Sequence, residues 1–319
     1  MENNYRSRRR SERSSRPKRG DGLEPILKEI DALIGLDPVK DEIFRMVDFA
    51  RVVALKKERD LPVSNLTFHM VFTGPPGTGK TTMARFIGQL LYELKLLRKD
   101  KLIEVDRSQL VGTHLGDTAR IVKDKVKDAL DGVLFIDEAY TLAGGGGATG
   151  QTDPYGQEAI DTLLKLMEDY RERLVVIFAG YTSEMRRFVE ANPGLKSRIS
   201  RTVEFPSYDG SELFEIFESL VQNNGFNMTP EASDEARKVI DDLARSSDEN
   251  FGNAREIRQF FEALQPIQAE RIAEHLDEVD DISKISNEDL MRIDEDDVRY
   301  YAEQLLSLIH ISEPTRPLH

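Results

Sequence analysis

One glycine-rich segment constrains the fold of this chain more than any other feature, and it reads Gly74-Pro75-Pro76-Gly77-Thr78-Gly79-Lys80-Thr81. It fits the pattern G-x-x-x-x-G-K-[ST] at every defined position, an apolar run precedes it over 68–73, and helical periodicity begins at Thr81. Its three glycines let the backbone wrap closely around an anion without Cβ clashes. The N–H groups at the start of the following helix then point into the turn. The segment predicts a strand, a phosphate-binding loop and a helix, in that order.

The residues that end this loop predict binding of ATP together with Mg²⁺. Lys80 is expected to reach the β- and γ-phosphates of the nucleotide. The Thr81 hydroxyl is expected to bind Mg²⁺, and Thr82 to assist it.

A second motif lies downstream, where the apolar run 133–136 ends in Asp137-Glu138. A buried strand that ends in two carboxylates is the layout of a metal ligand and a base in an NTPase. Asp137 is predicted to hold Mg²⁺, mostly through water, because Mg²⁺ retains several of its waters. Glu138 is predicted to polarise the attacking water. The alternative is that the two carboxylates only cap the next helix.

Alternation of short apolar runs with helical periodicity from Leu23 to about Phe205 predicts a doubly wound α/β sheet. The run 133–136 has no polar alternation, as expected of a parallel strand covered on both faces. Strands are predicted at 68–73, 101–105, 132–136 and 174–179, and helices at 24–33, 38–59, 81–95, 117–130, 156–172 and 183–191. Beyond Phe205-Pro206 only helices are predicted, at 209–224, 230–246, 252–275, 286–290 and 294–306. We therefore expect an α/β ATPase domain over 23–205 and a small all-helical lid domain over 206–306.

The composition excludes several classes of site. The chain has no Cys, which excludes disulfides and Cys-based zinc sites, and its five scattered His disfavour a His-rich metal site. The longest apolar candidate, Leu174 to Tyr181, is far shorter than the roughly 18 residues that a membrane helix needs. No secretory signal is recognised. We therefore expect a cytoplasmic protein with no membrane insertion.

Charge is distributed unevenly along the chain. Residues 1–20 carry eight Arg or Lys and two Glu, a net charge of +6, so the remainder of this −14 chain carries −20. Such an acidic body argues against nucleic-acid binding through the folded part. Residues 1–22 are predicted to be a disordered basic arm, either a solvated tail or an electrostatic tether to an anionic partner. Residues 307–319 break the acidic helical pattern and are expected to be a non-native or disordered tail.

The motifs together resemble those of the AAA+ ATPases. Asp137-Glu138 after a P-loop carries the first resemblance, and Gly35-Leu36 with Val39-Lys40 resembles the segment that packs near the adenine. A narrower resemblance is to the clade of red-type rubisco activase, stage V sporulation protein K and type VII secretion ATPases. It is carried by Glu138-Ala139-Tyr140, 156–164, Met167-Glu168-Asp169, Ala179-Gly180-Tyr181, 192–198 and 252–258. The resemblance covers about 30–300 and implies a doubly wound parallel-sheet P-loop AAA+ domain, a helical lid and assembly into a ring, usually a hexamer.

The resemblance also assigns roles to residues outside the two motifs. Arg198 resembles the arginine finger, whose guanidinium reaches the γ-phosphate in the neighbouring subunit and stabilises charge as the phosphoryl group departs. Arg201 is the alternative for this role. Arg255 resembles the second sensor on the lid, which contacts phosphate, and Arg258, one helical turn on, is the alternative. Thr182 is the candidate for the first sensor, where relatives often have Asn or Thr.

Two loops are candidates for contact with a client. The segment Val111-Gly112-Thr113-His114-Leu115-Gly116 resembles the loop that grips a protein client in the central pore, with His114 where Tyr is common. Histidine is planar but smaller, and its charge can change near neutral pH. A weaker grip, a pH-sensitive grip, less processive threading and a loop histidine with no client role all remain open. The glycines at 144–147 predict either a second mobile loop near the pore or a plain linker.

These expectations favour an ATP-dependent, ring-forming remodeller that couples hydrolysis to conformational work on a protein client, with a rubisco-activase-like role as one option. The alternative is a nucleic-acid-associated motor or loader that uses the basic arm. A third hypothesis is a nucleotide-dependent scaffold with little turnover, against which Glu138 and Arg198 argue.

Overall fold

A computed structural model describes residues 22–63, 67–114, 116–144, 153–245, 251–278 and 286–312. The chain divides into two units, Met1–Gly74 with Gly79–Phe205, and Pro75–Thr78 with Pro206–His319. Each unit has its own hydrophobic core. The predicted basic arm, except for Gly22, and residues 313–319 of the predicted tail lie outside the described residues.

The first unit is built on a five-stranded parallel sheet in the order β2-β3-β4-β1-β5. The strands are β1 (Met70–Thr73), β2 (Leu102–Val105), β3 (Val133–Ile136), β4 (Val175–Gly180) and β5 (Arg201–Glu204). The helices are α1 (Leu23–Asp31), α2 (Asp37–Glu58), α3 (Lys80–Glu93), α4 (Asp117–Ala129), α5 (Pro154–Asp169), α6 (Thr182–Ala191) and α7 (Pro193–Arg198). Every residue of β1, β3 and β4 is buried, as expected of parallel strands covered on both faces.

The helix that follows the glycine-rich loop packs on one identifiable face of β3. A Cβ on Gly88 of α3 would lie 3.2 Å from Cγ2 of Val133, so α3 covers the face of the sheet that carries Val133. Side chains alternate along a strand, so Phe135 and then Asp137 follow on this same face. The alternation therefore places the Asp137 carboxylate on the face of the sheet that α3 covers.

The second unit is a helical domain. Its helices are α8 (Gly210–Asn223), α9 (Pro230–Arg245), α10 (Ala254–Glu278), α11 (Asn287–Leu290) and α12 (Glu295–Ser312). Phe217 and Phe260 stack in its core with ring centroids 4.8 Å apart. A capping box between Asp209 and Glu212 starts α8. The fully buried Asp297 is neutralised by Arg271, whose Nε donates to it at 2.8 Å.

The predicted fold class, a doubly wound parallel-sheet domain followed by a helical lid, is confirmed, but several short elements were not predicted. The edge strand β5 was missed because only Val203 is buried in it, so no apolar run marks it. The six-residue helix α7 is too short to show a helical period. The expectation of no strand after 206 was wrong, because β6 (Asn227–Met228) and β7 (Arg292–Ile293) form a parallel pair, although each has only two residues. The last helix runs to Ser312, beyond the expected end at 306.

A buried histidine ties the start of β1 to β4. His69 is fully buried, and its Nδ1 accepts a hydrogen bond from the backbone N–H of Val176 at 3.0 Å. Its backbone carbonyl accepts from both the N–H and the hydroxyl of Ser200, each at 2.8 Å. Burial, assisted by the nearby charge of Arg198, lowers the pKa of His69 from 6.5 to about 4.

This shift predicts a loss of stability in mild acid. Between pH 6.5 and about 4 the unfolded chain binds a proton at His69 that the folded chain does not, so the free energy of unfolding falls as the pH falls. The loss should reach about 2 kcal/mol at pH 5. His69→Asn, which keeps an acceptor for the Val176 N–H, should remove this component when urea midpoints are compared at pH 7 and pH 5. His114→Asn, at an exposed histidine, is the control, and an equal loss in all three proteins would contradict the prediction.

Candidate nucleotide-binding site

The topology of the sheet places the two sequence motifs at one edge. All five strands are parallel, so the residues that follow each strand lie at the same edge of the sheet. The glycine-rich loop leaves β1, and Asp137-Glu138 leave β3. Strand β4 separates these two strands, and it is followed by Tyr181 and Thr182, the latter being the first residue of α6.

The backbone of the loop requires glycine at the positions where the sequence has it. Gly74, Gly77 and Gly79 have φ values of +141°, +71° and +87°. A Cβ on Gly74 would lie 2.2 Å from the carbonyl oxygen of Phe205, and the Gly74 N–H donates to the Gly180 carbonyl at 3.1 Å. Gly79 starts α3 without a side-chain cap, so the positive end of the helix dipole faces the loop.

Side chains of the loop brace it from within. The Lys80 ammonium donates to the Gly74 carbonyl at 2.9 Å, so the side chain folds back along the loop. The hydroxyl of the fully buried Thr78 donates to the Pro75 carbonyl at 2.9 Å. The loop is therefore held by its own side chains, and the Lys80 ammonium lies against its backbone, an arrangement suited to binding a phosphate chain.

The residues predicted to hold Mg²⁺ offer the right donor atoms. Thr81 and Asp137 are both half-buried, and the N–H of Asp137 donates to the Val105 carbonyl at 2.9 Å. A hydroxyl and a carboxylate are hard oxygen donors of the type that Mg²⁺ prefers. In the part of the chain that the structure describes, no three His, Cys, Asp or Glu side chains converge as a metal cluster. The chemistry fits an ion held by few protein ligands together with phosphate oxygens and water.

Glu138 has a strained backbone. Its φ is +46°, an uncommon conformation for a residue other than glycine. The backbone N–H and the hydroxyl of Thr141 both donate to the Glu138 carbonyl, at 2.9 and 2.7 Å, and the Glu138 N–H donates to Asp137 Oδ1 at 3.0 Å. These bonds hold the turn in place, and the Glu138 side chain is exposed. Such strain is often found where a side chain must be aimed at a reacting group.

The two candidates for the arginine finger differ in how firmly they are held. Arg201 pairs closely with Glu42 and lies over the Phe49 ring. Arg198, the last residue of α7, lies 3.6 Å from a Glu168 carboxylate oxygen and donates one bond from Nη1 to the Gly194 carbonyl at 3.1 Å. Its buried Nε makes no hydrogen bond to any residue of the described ranges.

The candidates for the second sensor lie on α10 in the second unit. Arg255 and Arg258 are both exposed, in the first turns of the helix. Within this unit, Asn253 donates to the Pro76 carbonyl at 3.3 Å, and a Cβ on Gly77 would lie 3.0 Å from the Arg255 backbone N. The start of α10 therefore lies beside loop residues 75–78, whereas nothing comparable singles out Arg258.

The two candidate client loops are only partly described. In the first, the Gly112 N–H donates to the Thr118 hydroxyl at 3.0 Å and the His114 carbonyl accepts from Asp117 N–H at 3.1 Å. His114 is exposed, and Leu115 lies outside the described residues. Of the glycines at 144–147 only Gly144 is described.

Several residues near the site were not predicted from the sequence. Tyr140 packs against Gly180 and lies 6.1 Å from the Tyr181 ring, and burial followed by the charge of Glu138 raises its pKa to about 12. Arg107 donates to the Thr141 carbonyl at 2.8 Å and pairs closely with Asp153, so it joins the turn after Glu138 to the start of α5. Glu104 is an acidic residue inside the otherwise apolar β2, a signal that was present in the sequence.

Comparison with protein families identifies two matching segments. The profile of the "ATPase family associated with various cellular activities (AAA)" matches residues 70–207. The profile "AAA lid domain" matches residues 209–306.

Curated proteins similar to this chain are identical to it at more than a third of the aligned positions. ESX-3 secretion system protein EccA3 of Mycobacterium leprae is 38% identical over 303 residues, 92% of this chain but 46% of EccA3, so the chain spans about half the length of that relative. Stage V sporulation protein K of Bacillus subtilis is 39% identical, with 78% of this chain and 76% of the relative covered. Chloroplastic ribulose bisphosphate carboxylase/oxygenase activase of Cyanidioschyzon merolae is 42% identical, with 78% and 84% covered.

Among solved structures, the FIGL-1 AAA domain matches with a TM-score of 0.56 and 18% identity, covering 86% of this chain and 82% of that one. At this identity the likeness supports the fold alone.

Lys80 generates the first prediction for the site. Lys80→Ala should reduce binding of a fluorescent ATP analogue at least a hundredfold, because the loop loses the cation that is predicted to bind the phosphates. Lys123→Ala, at an exposed lysine of α4, is the matched control and should bind normally. Fluorescence titration gives both constants, and tight ATP binding by Lys80→Ala would refute the assignment.

Proposed function

The chain belongs to the AAA family of ATPases, in the clade of rubisco activases, stage V sporulation protein K and type VII secretion ATPases, and we propose that it is a ring-forming machine that remodels a protein client. It is an enzyme that hydrolyses ATP. One observation carries the ATPase chemistry: the glycine-rich loop and the Asp137-Glu138 pair lie at the same edge of one parallel sheet. The remodelling of a protein client is proposed from the named relatives.

We assign the hydrolytic step to residues of these two motifs. The loop amides and Lys80 bind the phosphates, and Thr81 with Asp137 would hold Mg²⁺. When bound, that ion supplies charge neutralisation and orientation of the phosphates. The exposed Glu138 carboxylate accepts hydrogen bonds from the attacking water and takes up its proton. The turn fixed by Thr141 holds the Glu138 backbone during this step.

The environment of Arg198 supports the proposal of a ring. Its side chain is held by one hydrogen bond and one loose ion pair, so its guanidinium has donors available for a phosphate group presented by another subunit. Arg201 is engaged by Glu42 and Phe49 within its own chain. We therefore assign the finger to Arg198, the second sensor to Arg255 and the first sensor to Thr182. A finger that acts between subunits requires a neighbouring subunit, and a hexamer is the ring that the resemblance to AAA+ ATPases implies.

The client is proposed to be a protein. The named relatives include an activase of ribulose bisphosphate carboxylase/oxygenase and a component of a secretion system, and both kinds of client fit the proposal. The loop around His114 is the proposed point of grip. No described helix is long and apolar enough to cross a membrane, and the cytoplasmic location stays a prediction.

The basic arm is the basis of the alternative function, a nucleic-acid-associated motor or loader. Its net charge of +6 over residues 1–20 is the only observation that favours this function. Stimulation of ATP turnover by DNA or RNA, but not by protein, would support it.

Replacing the proposed base should separate binding from hydrolysis. Glu138→Gln should bind ATP as tightly as the parent and hydrolyse it at least a hundredfold more slowly, because the amide cannot take up the proton of the water. ATP turnover and the nucleotide retained after gel filtration measure the two effects. Glu190→Gln, at an exposed glutamate of α6, is the matched control. Hydrolysis by Glu138→Gln at the parental rate would show that Glu138 is not the base.

The finger assignment can be tested by mixing subunits. Arg198→Ala should bind ATP normally but lose turnover by about a thousandfold. Mixing it with Lys80→Ala subunits should restore part of the activity, since those subunits carry an intact Arg198 but an inactive loop. Arg201→Ala is the control and should lower thermal stability while retaining turnover. Failure of the mixed subunits to hydrolyse ATP would count against a finger that acts between subunits.

A further inference from the structure

An acidic side chain interrupts β2 on the face of the sheet that carries Asp137. Glu104 is the third residue of Leu102–Val105 and its Cα pairs with that of Phe135 in β3. Paired residues of parallel strands direct their side chains to the same face, so Glu104 lies on the face of Phe135 and Asp137. This is the face on which α3 packs, as the contact between Gly88 and Val133 shows.

The Glu104 carboxylate contacts the residue proposed to ligate the metal. The Thr81 hydroxyl donates to Glu104 Oε1 across 3.5 Å, the long limit of a hydrogen bond. A threonine hydroxyl has one proton and two lone pairs. When the proton is directed to a carboxylate, the lone pairs of the oxygen remain available for a cation.

Glu104 is not paired with a cation within the described residues. It forms no ion pair with any Lys or Arg in the described ranges, and its side chain is exposed. A carboxylate this close to a phosphate-binding loop repels a nucleotide and attracts a divalent cation. Its charge therefore opposes binding of nucleotide alone and favours binding of nucleotide with Mg²⁺.

We propose that Glu104 is a positioning residue for Mg²⁺, which accepts a hydrogen bond from the Thr81 hydroxyl and makes tight nucleotide binding conditional on the metal. This inference rests on the proposed metal site at Thr81 and Asp137. The residue acts through Thr81 and through its charge, and it takes no part in proton transfer from water.

The test measures affinity for a fluorescent, non-hydrolysable ATP analogue in excess Mg²⁺ and in EDTA. Glu104→Gln should bind the analogue more tightly than the parent in EDTA and no more tightly in Mg²⁺. The dissociation constant in EDTA divided by that in Mg²⁺ should therefore be about tenfold smaller for Glu104→Gln than for the parent. The midpoint of a Mg²⁺ titration at fixed analogue should rise correspondingly. Glu104→Asp, which keeps the charge, should retain part of the response to Mg²⁺, and Glu190→Gln should retain all of it.

A gain in affinity that is confined to EDTA separates this role from structural damage. If Glu104→Gln weakens binding equally with and without Mg²⁺, the residue is structural and the inference is overturned. A Mg²⁺ response that Glu104→Gln leaves intact overturns the role of Glu104 alone. A parent protein whose affinity ignores Mg²⁺, or an Asp137→Asn variant that keeps the full response, overturns the proposed metal site and the inference with it.

Discussion

The close approach of Gly74 to both neighbours of β1 is the constraint on which the site depends. Its N–H donates to the Gly180 carbonyl of β4, and no Cβ fits between it and the Phe205 carbonyl that follows β5. The loop therefore leaves the sheet in one direction, with φ of +141° at its first residue. The ammonium of Lys80, the first residue of α3, donates back to the carbonyl of this same glycine.

Strand order then decides which side chains meet at the loop. Because β4 lies between β1 and β3, the chain that leaves β4 passes between the phosphate loop and the Asp137-Glu138 pair. Gly180 allows the Tyr140 ring to pack there, since a Cβ would lie 2.7 Å from it. The segment that follows Glu138 and the end of β4 are thus packed against each other.

Motifs that are local in sequence were predictable, and contacts between distant segments were not. The glycine-rich loop, Asp137-Glu138 and the long helices follow from spacing and periodicity within a few residues. The contact of Glu104 with Thr81 depends on the register of β2 against β3, which no local pattern encodes. The contacts of Arg107 could not be predicted either, because its partners Thr141 and Asp153 are 34 and 46 residues away in the sequence. The edge strand β5 was missed because one buried residue, Val203, makes no periodic pattern.

The contacts of Arg198 are weak enough for its side chain to change conformation at a small cost in free energy. Its carboxylate partner Glu168 is half exposed and 3.6 Å away, and such a pair contributes at most about 1 kcal/mol. The neighbouring His69 stays uncharged above a pH of about 4. The charge of Arg198 lowers the pKa of His69, and by the same interaction an imidazolium at His69 would repel the Arg198 guanidinium. Arg198 thus has an uncharged imidazole near it and only a long ion pair with Glu168. In the proposed ring, a phosphate group of the neighbouring subunit, with its larger charge, would attract the guanidinium more strongly than Glu168 does.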